Sequence, residues 1–303
     1  MKNIFITGAG GFIGQALLKK ISTTNHIVGL YFDKTKCCHD KTHVSIQGDV
    51  RDYKLLSRII GDYEIDTVFH LASQSIVRIC HNDPITAYDI NINGTLALLE
   101  ACRIVGANTV QKILVSSSDK AIGHSPAPYN EETPFTPKFT YETSKSCQDF
   151  ITTSYFHTYN VPTIPVRCSN VYGPGDTNFS RLIPRTIRLL KEGRAPVLYN
   201  GVEEYEREFI YIDDVVDAFI LLAEKGIAGD PYCVGGTGAY QIKELINIII
   251  QLMNGKIQPV LKQKAGGFKE IQKQYIDASK LKALGWKSKV NLNQGLLECI
   301  KWY

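Results

Sequence analysis

The sequence has few of the features that mark a metal, disulfide or membrane protein. Its eight cysteines include no Cys-x-x-Cys pair and no Cys/His spacing of the kind found in metal sites, so we expect no metal and no disulfide framework. Its apolar runs are too short to span a bilayer, and no run of five or more basic residues occurs. These absences predict a protein with no membrane partner and no nucleic-acid partner.

The N-terminus and the cysteines together predict the compartment. Residues 1–3 lead directly into an apolar strand, which leaves no room for a signal peptide. Several cysteines, such as Cys102 and Cys233, lie inside apolar stretches, as free buried thiols in a reducing compartment do. We therefore expect a cytoplasmic protein.

What is present is ordinary for a soluble globular protein. Hydrophobic residues make up 44% of the 303 residues and charged residues 21%, with 24 glycines and 12 prolines. This length suffices for one large domain or for two closely packed ones. The formal charge of +4 is spread along the chain, so a small anionic ligand fits better than a polyanion.

Short β-branched runs alternate with helical stretches through the first two-thirds of the chain, as in a parallel sheet covered by helices. We predict strands at residues 4–7, 26–31, 44–47, 67–71, 113–116 and 163–167, and helices at 12–23, from 53, at 84–106 and at 141–159. The expected fold class is α/β, a Rossmann-type doubly wound parallel sheet over residues 1–167 with a smaller C-terminal substrate-binding lobe over residues 168–303. The segment 208–225 could return to the first domain.

A glycine-rich turn follows the first predicted strand and opens the first helix. Gly8 permits a tight turn, Gly11 lets the backbone approach a pyrophosphate, and Gly14 lets the helix pack closely on the strand. An ordinary strand–helix turn is the alternative for these glycines. Their position predicts a dinucleotide site that includes Phe12 and Ile13 in the first helical turn.

A tyrosine and a lysine lie four residues apart in the predicted helix 141–159. Tyr141 and Lys145 share one helical face, where an ammonium favours the phenolate and lowers the pKa of the tyrosine from about 10. A packed tyrosine with a solvated lysine is the alternative. The serines at 116–118, at the end of the fifth strand, would add a hydroxyl beside a sugar.

With these elements the chain resembles the extended short-chain dehydrogenases/reductases. The spacing G-x-x-G-x-x-G and the Ser–Tyr–Lys set are those of this family, and the segments 70–74, 91–95 and 167–175 are similar to it as well. The resemblance implies bound NAD, with NADP possible because Lys34 could accept a 2′-phosphate. The implied cofactor residues are Gly8, Gly11, Phe12, Ile13, Gly14, Asp33, Asp49, Val50, Leu71, Ala72, Asn91, Tyr141 and Lys145.

The resemblance also implies a nucleotide-diphosphate sugar as the substrate. The residues that would contact it are Gln74, Ser118, Asn170, Arg181, Leu182 and Arg207. Arg207 is the main candidate for the diphosphate, because a guanidinium presents a planar fork of donors to phosphate oxygens. A surface salt bridge with neighbouring glutamates is its alternative. Related enzymes commonly form homodimers through two long helices, here residues 84–106 and 141–159.

The expected chemistry depends on the residues that follow the serines. Ser118-Asp119-Lys120 resembles nucleotide-sugar 4,6-dehydratases, namely CDP-glucose enzymes and a group acting on GDP- or UDP-linked amino sugars. In that chemistry Tyr141 takes the C4 hydroxyl proton and Asp119 protonates the departing C6 hydroxyl. Lys120 stands where the dTDP-glucose enzymes have Glu. It is a base at C5 only if burial or a like charge lowers its pKa, and otherwise it stabilises the C4 enolate.

Other functions stay open at this point. A 4-epimerase needs only Ser118, Tyr141 and Lys145, and a turn with a local ion pair would then account for Asp119 and Lys120. A reductase would consume NAD(P)H. A non-catalytic NAD(P)-binding sensor or scaffold is disfavoured, because it would not need the serine, the tyrosine and the lysine. For the dehydratase, the predicted catalytic residues are Ser118, Asp119, Lys120, Tyr141 and Lys145.

Overall fold

The chain folds around a seven-stranded parallel sheet, in a computed structural model that describes residues 1–21, 25–36, 43–235, 238–263 and 270–303. Over these residues the strands are β1 Asn3–Thr7, β2 His26–Tyr31, β3 His43–Gln47, β4 Thr67–His70, β5 Lys112–Ser118, β6 Thr163–Cys168, β7 Asn170–Tyr172, β8 Val197–Tyr199, β9 Glu206–Tyr211, β10 Tyr232–Val234, β11 Ala239–Gln241, β12 Val260–Lys262 and β13 Lys273–Gln274. The helices are α1 Phe12–Ile21, α2 Tyr53–Asp62, α3 Val77–Asn82, α4 Pro84–Tyr88, α5 Gly94–Ile104, α6 Thr140–Tyr159, α7 Leu182–Lys191, α8 Ile212–Lys225, α9 Ile242–Leu252, α10 Ser279–Ala283 and α11 Leu292–Trp302.

The large sheet has the strand order β3-β2-β1-β4-β5-β6-β10, and each neighbouring pair is parallel. The direction of winding reverses between β1 and β4, so the carboxyl ends of these two strands open a crevice. Loops that follow β1, β4 and β5 therefore meet at one edge of the sheet. This topology confirms the predicted Rossmann-type doubly wound fold.

The sheet is buried on both faces, which explains its nearly unbroken apolar strands. Ile4 and Ile6 of β1 belong to one hydrophobic layer with Phe219 of α8, and Phe5 between them belongs to another layer with Leu98 of α5. Successive side chains of a strand point to opposite faces, so a strand covered on both sides needs apolar residues at every position. The burial of all five side chains is complete.

The predicted strands all lie in this sheet, and their bounds agree within two residues. The predicted helix 84–106 is a succession of α4, a π-helical turn at Asp89–Asn93 and α5. Helix α1 ends at Ile21, and its predicted end at Thr23 lies outside the described residues. The sequence analysis missed β10, because three residues are too few to form a strand periodicity.

The second half of the chain both completes the sheet and builds a lobe above its carboxyl edge. Helix α8 packs against α1, and β10 pairs with β6. In the lobe β9 pairs with β7, β11 and β13, while β8 pairs with β12. The predicted division into domains 1–167 and 168–303 stays a proposal. Both α8 and β10 follow residue 168 in the chain but pack on the large sheet or belong to it.

The described residues hold free thiols at Cys80, Cys102, Cys147, Cys168, Cys233 and Cys299. Cys37 and Cys38 lie outside the described residues. Within the described ranges, no group of three or more His, Cys, Asp or Glu side chains could hold a metal ion. None of the helices in these ranges has the length and apolar character that a membrane span requires.

Candidate active site

The glycine turn between β1 and α1 forms a cradle with no room for a side chain at Gly8 or Gly14. Gly8 has a φ of +69°, and a Cβ there would lie 2.7 Å from the backbone nitrogen of Ala72. A Cβ on Gly14 would collide with the carbonyl oxygen of Gly8, while Gly11 is exposed at the mouth of the turn. Phe12 and Ile13 form the first turn of α1. The backbone N–H groups of this helix start fit a pyrophosphate that approaches closely.

The acidic residues predicted to hold the adenosine have partners of their own. Asp33 is exposed and accepts hydrogen bonds from Thr35 N at 2.9 Å and Thr35 Oγ1 at 2.7 Å. Asp49 accepts from Arg51 Nε at 2.9 Å, and this hydrogen bond is the first cause of its lowered pKa. Val50 beside it is buried. The contacts of Asp33 and Asp49 with a cofactor stay predictions.

The loop after β4 is tied to α6 by one buried amide. Asn91 Nδ2 donates to Ser144 Oγ at 2.9 Å and to Gln74 O at 3.2 Å, and Asn91 Oδ1 accepts from Gln74 N at 2.7 Å. Leu71 N and Ala72 N donate to β1, to the carbonyl and the hydroxyl of Thr7. This amide therefore fixes the backbone of Gln74, whose side-chain oxygen accepts from Ile76 N at 3.2 Å.

The predicted catalytic residues come from the end of β5 and the first turns of α6. Ser118 Oγ donates to Asp119 Oδ1 at 3.1 Å and accepts from Lys120 N at 3.2 Å. The Ser118 side chain also lies close enough to the Tyr141 phenol to lower its pKa. Tyr141 and Lys145 are one helical turn apart and only 8% and 2% exposed. The hydroxyl of Ser118 therefore lies between the Tyr141 phenol and the Asp119 carboxyl.

The pKa of Asp119 is raised and the pKa of Lys120 is lowered from their ordinary values. Burial raises the pKa of Asp119, although Lys120, Gln274, Ser118 and Arg207 act against it. Burial lowers the pKa of Lys120, and the like charge of Arg207 lowers it further. Both directions move the two groups toward their neutral forms, although the charge of each one stabilises the charged form of the other. Such a pair can give one proton and accept another.

Burial is also the largest influence on the pKa values of Tyr141 and Lys145 in α6. It raises the pKa of Tyr141, which the Ser118 side chain and the charge of Arg181 lower. It lowers the pKa of Lys145 to about 8. The Lys145 ammonium donates to Ser116 O at 2.9 Å and to Gln148 Oε1 at 2.7 Å. The lysine is thus held at the end of β5 by two acceptors.

The other substrate residues predicted from the sequence lie in β7 and at the start of α7. Asn170 Nδ2 donates to Glu208 O at 2.9 Å, which ties β7 to β9. Arg181 precedes α7 and binds Asp176 Oδ2 at 3.0 Å, and Leu182 begins the helix. No observation here tests whether they contact a sugar nucleotide, so these contacts stay predictions.

Arg207 is buried rather than exposed, and its donors are largely engaged. Its Nη1 donates to Glu206 O at 2.8 Å and Gln272 O at 3.2 Å, and its Nη2 donates to Ile271 O at 2.6 Å. A longer ion pair of 3.6 Å joins it to Glu270. These contacts hold β13 against β9, and the predicted grip of Arg207 on a diphosphate stays untested.

Gln274 is a site residue that the sequence analysis missed. It is completely buried, and its Oε1 accepts from Lys120 Nζ at 3.3 Å. Gln274 Nε2 and Asp119 Oδ2 lie side by side, yet neither has a partner in a well-formed hydrogen bond among the described residues. The sequence carries no signal for it, because the two-residue strand β13 has no periodicity.

A cavity of about 490 Å³ lies beside the loop that precedes Arg181. Three arginines, Arg78, Arg185 and Arg188, line it together with Phe179. The guanidinium of Arg188 lies over the ring of Phe179, 4.4 Å from its centroid. The lining thus combines positive charge with an aromatic surface.

Comparison with known proteins gives one consistent family. A family model described as GDP-mannose 4,6 dehydratase matches residues 5–299. A probable dTDP-glucose 4,6-dehydratase of Sinorhizobium fredii is 30% identical over 332 residues, which cover 99% of this chain and 92% of the relative. A trifunctional UDP-glucose 4,6-dehydratase/3,5-epimerase/reductase of Arabidopsis thaliana is 27% identical over the whole chain, which spans about half of its length, 47%.

Two solved structures cover nearly the whole chain. A UDP-glucose 4-epimerase of Thermotoga maritima with UDP-glucose superposes with a TM-score of 0.91 at 26% identity, over 99% of this chain and 98% of the other. A dTDP-glucose 4,6-dehydratase of Bacillus anthracis in complex with NAD gives 0.87 at 27% identity, over 100% and 96%. The chain belongs to the GDP-mannose 4,6 dehydratase family, within the NAD-dependent epimerases and dehydratases of the extended short-chain dehydrogenases/reductases.

Proposed function

We propose that this protein is an NAD-dependent 4,6-dehydratase of a nucleotide-diphosphate sugar, which yields a 4-keto-6-deoxy product. The observation that carries the proposal is the pair of the buried Asp119 and the partly buried Lys120, whose pKa values are displaced toward the neutral forms. Elimination of water across C5 and C6 needs an acid for the leaving hydroxyl and a base for the C5 proton. A 4-epimerase would need neither group.

The glycine cradle supports NAD as the cofactor, because its backbone can approach a pyrophosphate without meeting a side chain. Gly8, Gly11 and Gly14 would hold the phosphates, and Lys145 would donate to the nicotinamide ribose. Asp33 at the end of β2 favours NAD over NADP, as an acid there suits the ribose hydroxyls. When bound, NAD supplies a reversible hydride acceptor for the carbon at C4.

Tyr141 begins the reaction as the base at the C4 hydroxyl. It needs a nearby cation, since burial raises the pKa of its phenol. Lys145, one turn further along α6, supplies that cation in its protonated form. Ser118 can hydrogen-bond the C4 oxygen while it contacts both Tyr141 and Asp119. The resulting ketone at C4 acidifies the proton at C5.

Asp119 and Lys120 then divide the elimination between them. Lys120, as a neutral amine, takes the C5 proton, and Asp119, as a neutral acid, gives its proton to the C6 hydroxyl, which leaves as water. After hydride addition at C6, the Lys120 ammonium returns its proton to C5. The lowered pKa of Lys120 favours this role over that of a permanently charged enolate stabiliser.

The proton balance of these reaction steps gives Ser118 a second role. Tyr141 has gained the proton of the C4 hydroxyl, and Asp119 has lost one to water, so one proton must pass between them before the next turnover. The Ser118 hydroxyl donates to Asp119 at 3.1 Å and lies close enough to Tyr141 to lower the pKa of its phenol. It can pass a proton to Asp119 while it accepts one from Tyr141.

The nucleotide end of the substrate is proposed to lie toward the cavity beside residues 178–181. Arg78, Arg185 and Arg188 give it the positive charge that a diphosphate requires, and Phe179 offers a face for a base. CDP, GDP, UDP and dTDP all fit this chemistry.

A 4-epimerase is the second candidate, favoured by the structural similarity to the UDP-glucose 4-epimerase with a TM-score of 0.91. It would use Ser118, Tyr141 and Lys145 alone and would let the 4-keto sugar rotate before hydride returns. Asp119 and Lys120 would then form a structural pair.

The deciding experiment incubates the purified protein with NDP-glucose and NDP-N-acetylglucosamine substrates of all four bases, followed by mass spectrometry. We expect one substrate to lose the mass of one water with no net formation of NADH. Unchanged masses with gluco-to-galacto conversion by NMR would establish the epimerase instead. Net consumption of NAD(P)H would indicate a reductase.

We further propose a homodimer that packs through the helical segments α4–α5 and α6, in the cytoplasm, where the free thiols stay reduced. Exposed apolar side chains on these segments support it, with Ile104 52% and Phe150 59% exposed. Light scattering should give twice the chain mass of 33.9 kDa. Phe150→Asp should give monomers, whereas Leu261→Asp, 55% exposed on β12, should leave the dimer intact. A dimeric Phe150→Asp would refute this interface.

A further inference from the structure

A chain of buried hydrogen bonds connects Lys145 to the strand that precedes the phosphate cradle. Lys145 Nζ donates to Gln148 Oε1 at 2.7 Å, and Gln148 Nε2 donates to Thr95 Oγ1 at 2.8 Å. Thr95 Oγ1 contacts His70 Nε2 at 2.9 Å, and His70 Nδ1 contacts Thr7 Oγ1 at 2.8 Å. All five side chains are at least nine-tenths buried. The chain thus crosses from α6 through α5 and β4 to β1.

The donor and acceptor at each step of this chain are determined. Thr95 gives its one hydroxyl proton to Asn91 O at 2.8 Å, so its oxygen can only accept from Gln148 and His70. Gln148 must therefore turn its amide nitrogen toward Thr95 and its oxygen toward the lysine. His70 must carry its proton on Nε2, and burial together with the charge of Lys145 keeps it neutral by lowering its pKa to about 3.

Lys145 depends on such acceptors to remain an ammonium, since burial lowers its pKa to about 8. Cys168 of β6, Cys80 of α3 and Asp149 of α6 act in the opposite direction, and His70 faces it from β4. Asp149 is already paired with a guanidinium, that of Arg167, at 2.9 Å. The neutral oxygens of Gln148 and of the Ser116 carbonyl are therefore its direct hydrogen-bond partners, and they use two of its three N–H donors.

We propose that Gln148 is a positioning residue, which holds the Lys145 ammonium charged and aims its remaining donor at the cofactor ribose and Tyr141. The inference rests on the proposed role of Lys145 in the NAD-dependent reaction. Because Thr95 fixes the orientation of the Gln148 amide, buried hydrogen bonds connect Lys145 to Thr7, the last residue of the strand that leads into the phosphate cradle.

The test compares Gln148→Met, Gln148→Glu and the control Thr152→Val. Thr152 is equally buried on α6 and donates to the backbone carbonyl of Gln148 at 2.7 Å, so its variant removes a buried hydrogen bond without touching Lys145. The measurement is the pH dependence of turnover and, separately, the pH dependence of NAD affinity by calorimetry.

We expect Gln148→Met to move the alkaline limb of both profiles down by about one to two pH units, because the ammonium loses one of its two acceptors. Gln148→Glu should move the alkaline limb up by about one unit or more, as a carboxylate stabilises the ammonium. Thr152→Val should lower thermal stability and leave the limbs in place.

Unmoved limbs in both Gln148 variants, or the same displacement in Thr152→Val, would overturn the proposal. A wild-type protein that dehydrates none of the sugar nucleotides would refute the proposed reaction instead. The NAD titration would then still decide the role of Gln148, because it needs no sugar.

Discussion

Replacing Asp119 with asparagine is expected to slow the loss of water from the sugar nucleotide by about 10²- to 10⁴-fold. Asparagine keeps the size of the side chain but has no proton to give to the departing C6 hydroxyl. Tyr141 and Lys145 are untouched, so oxidation at C4 should continue. Single-turnover mixing should therefore show reduced nicotinamide by its absorbance, and mass spectrometry should show no dehydrated product.

The matched control for this variant is Asp176→Asn, a second buried aspartate near the same crevice. Asp176 accepts from Arg181 at 3.0 Å and lies on the lobe side of the site. We expect its variant to raise KM and to leave the nature of the product unchanged. An Asp119→Asn protein with wild-type dehydration would refute the assignment of Asp119 as the acid and would favour the 4-epimerase.

Tyr141→Phe is expected to lower turnover by about 10²- to 10⁴-fold by removing the base at the C4 hydroxyl. Its effect should differ in kind from that of Asp119→Asn, because the reaction would stop before hydride transfer. No reduced nicotinamide should then appear in single-turnover mixing. The double variant Tyr141→Phe/Asp119→Asn should behave like Tyr141→Phe alone.

Tyr129→Phe provides the comparison for Tyr141→Phe. Tyr129 is fully buried, and its hydroxyl donates to the backbone oxygens of Gly123 at 2.8 Å and of Lys273 at 3.4 Å, neither of which belongs to the predicted catalytic set. Its variant should lose stability but keep most of the turnover. Reduced nicotinamide at wild-type levels in Tyr141→Phe would contradict the role of the phenol in both candidate reactions.

The sheet could be predicted from the sequence because its determinants are local. Gly8, Gly11 and Gly14 act within one turn, and β-branched runs with both faces buried carry their own signature. Tyr141 and Lys145 were also accessible, since helical spacing alone places them on one face. The position of Ser118 to Lys120 followed from the end of β5, where parallel strands collect functional residues.

The hydrogen-bond partners of the charged and polar side chains could not be predicted, because they depend on which distant segments the tertiary structure brings together. Arg207 had the composition of a phosphate ligand, yet its donors go to backbone carbonyls of a segment more than sixty residues away. Asp49 is engaged by Arg51, only two residues later, through a geometry that the sequence does not state. Gln274 reaches Lys120 across 154 residues from a strand too short to detect. Gln148 did leave a signal, three residues after Lys145 on the same helix, but many glutamines occupy such positions.

The position of β10 in the chain, more than sixty residues after its partner strand β6, has a consequence for folding during synthesis. Its partner β6 ends at Cys168, but β10 begins only at Tyr232, and α8 lies between them. While the ribosome makes the intervening residues, the nascent chain carries an unpaired parallel edge and an uncovered apolar face. A fragment released at residue 167 would expose the same surfaces and would tend to aggregate. Residues 1–167 hold all the predicted cofactor residues, but they lack the strand and the helix that cover their sheet in the folded chain, so we expect a stable cofactor site to require the later residues as well.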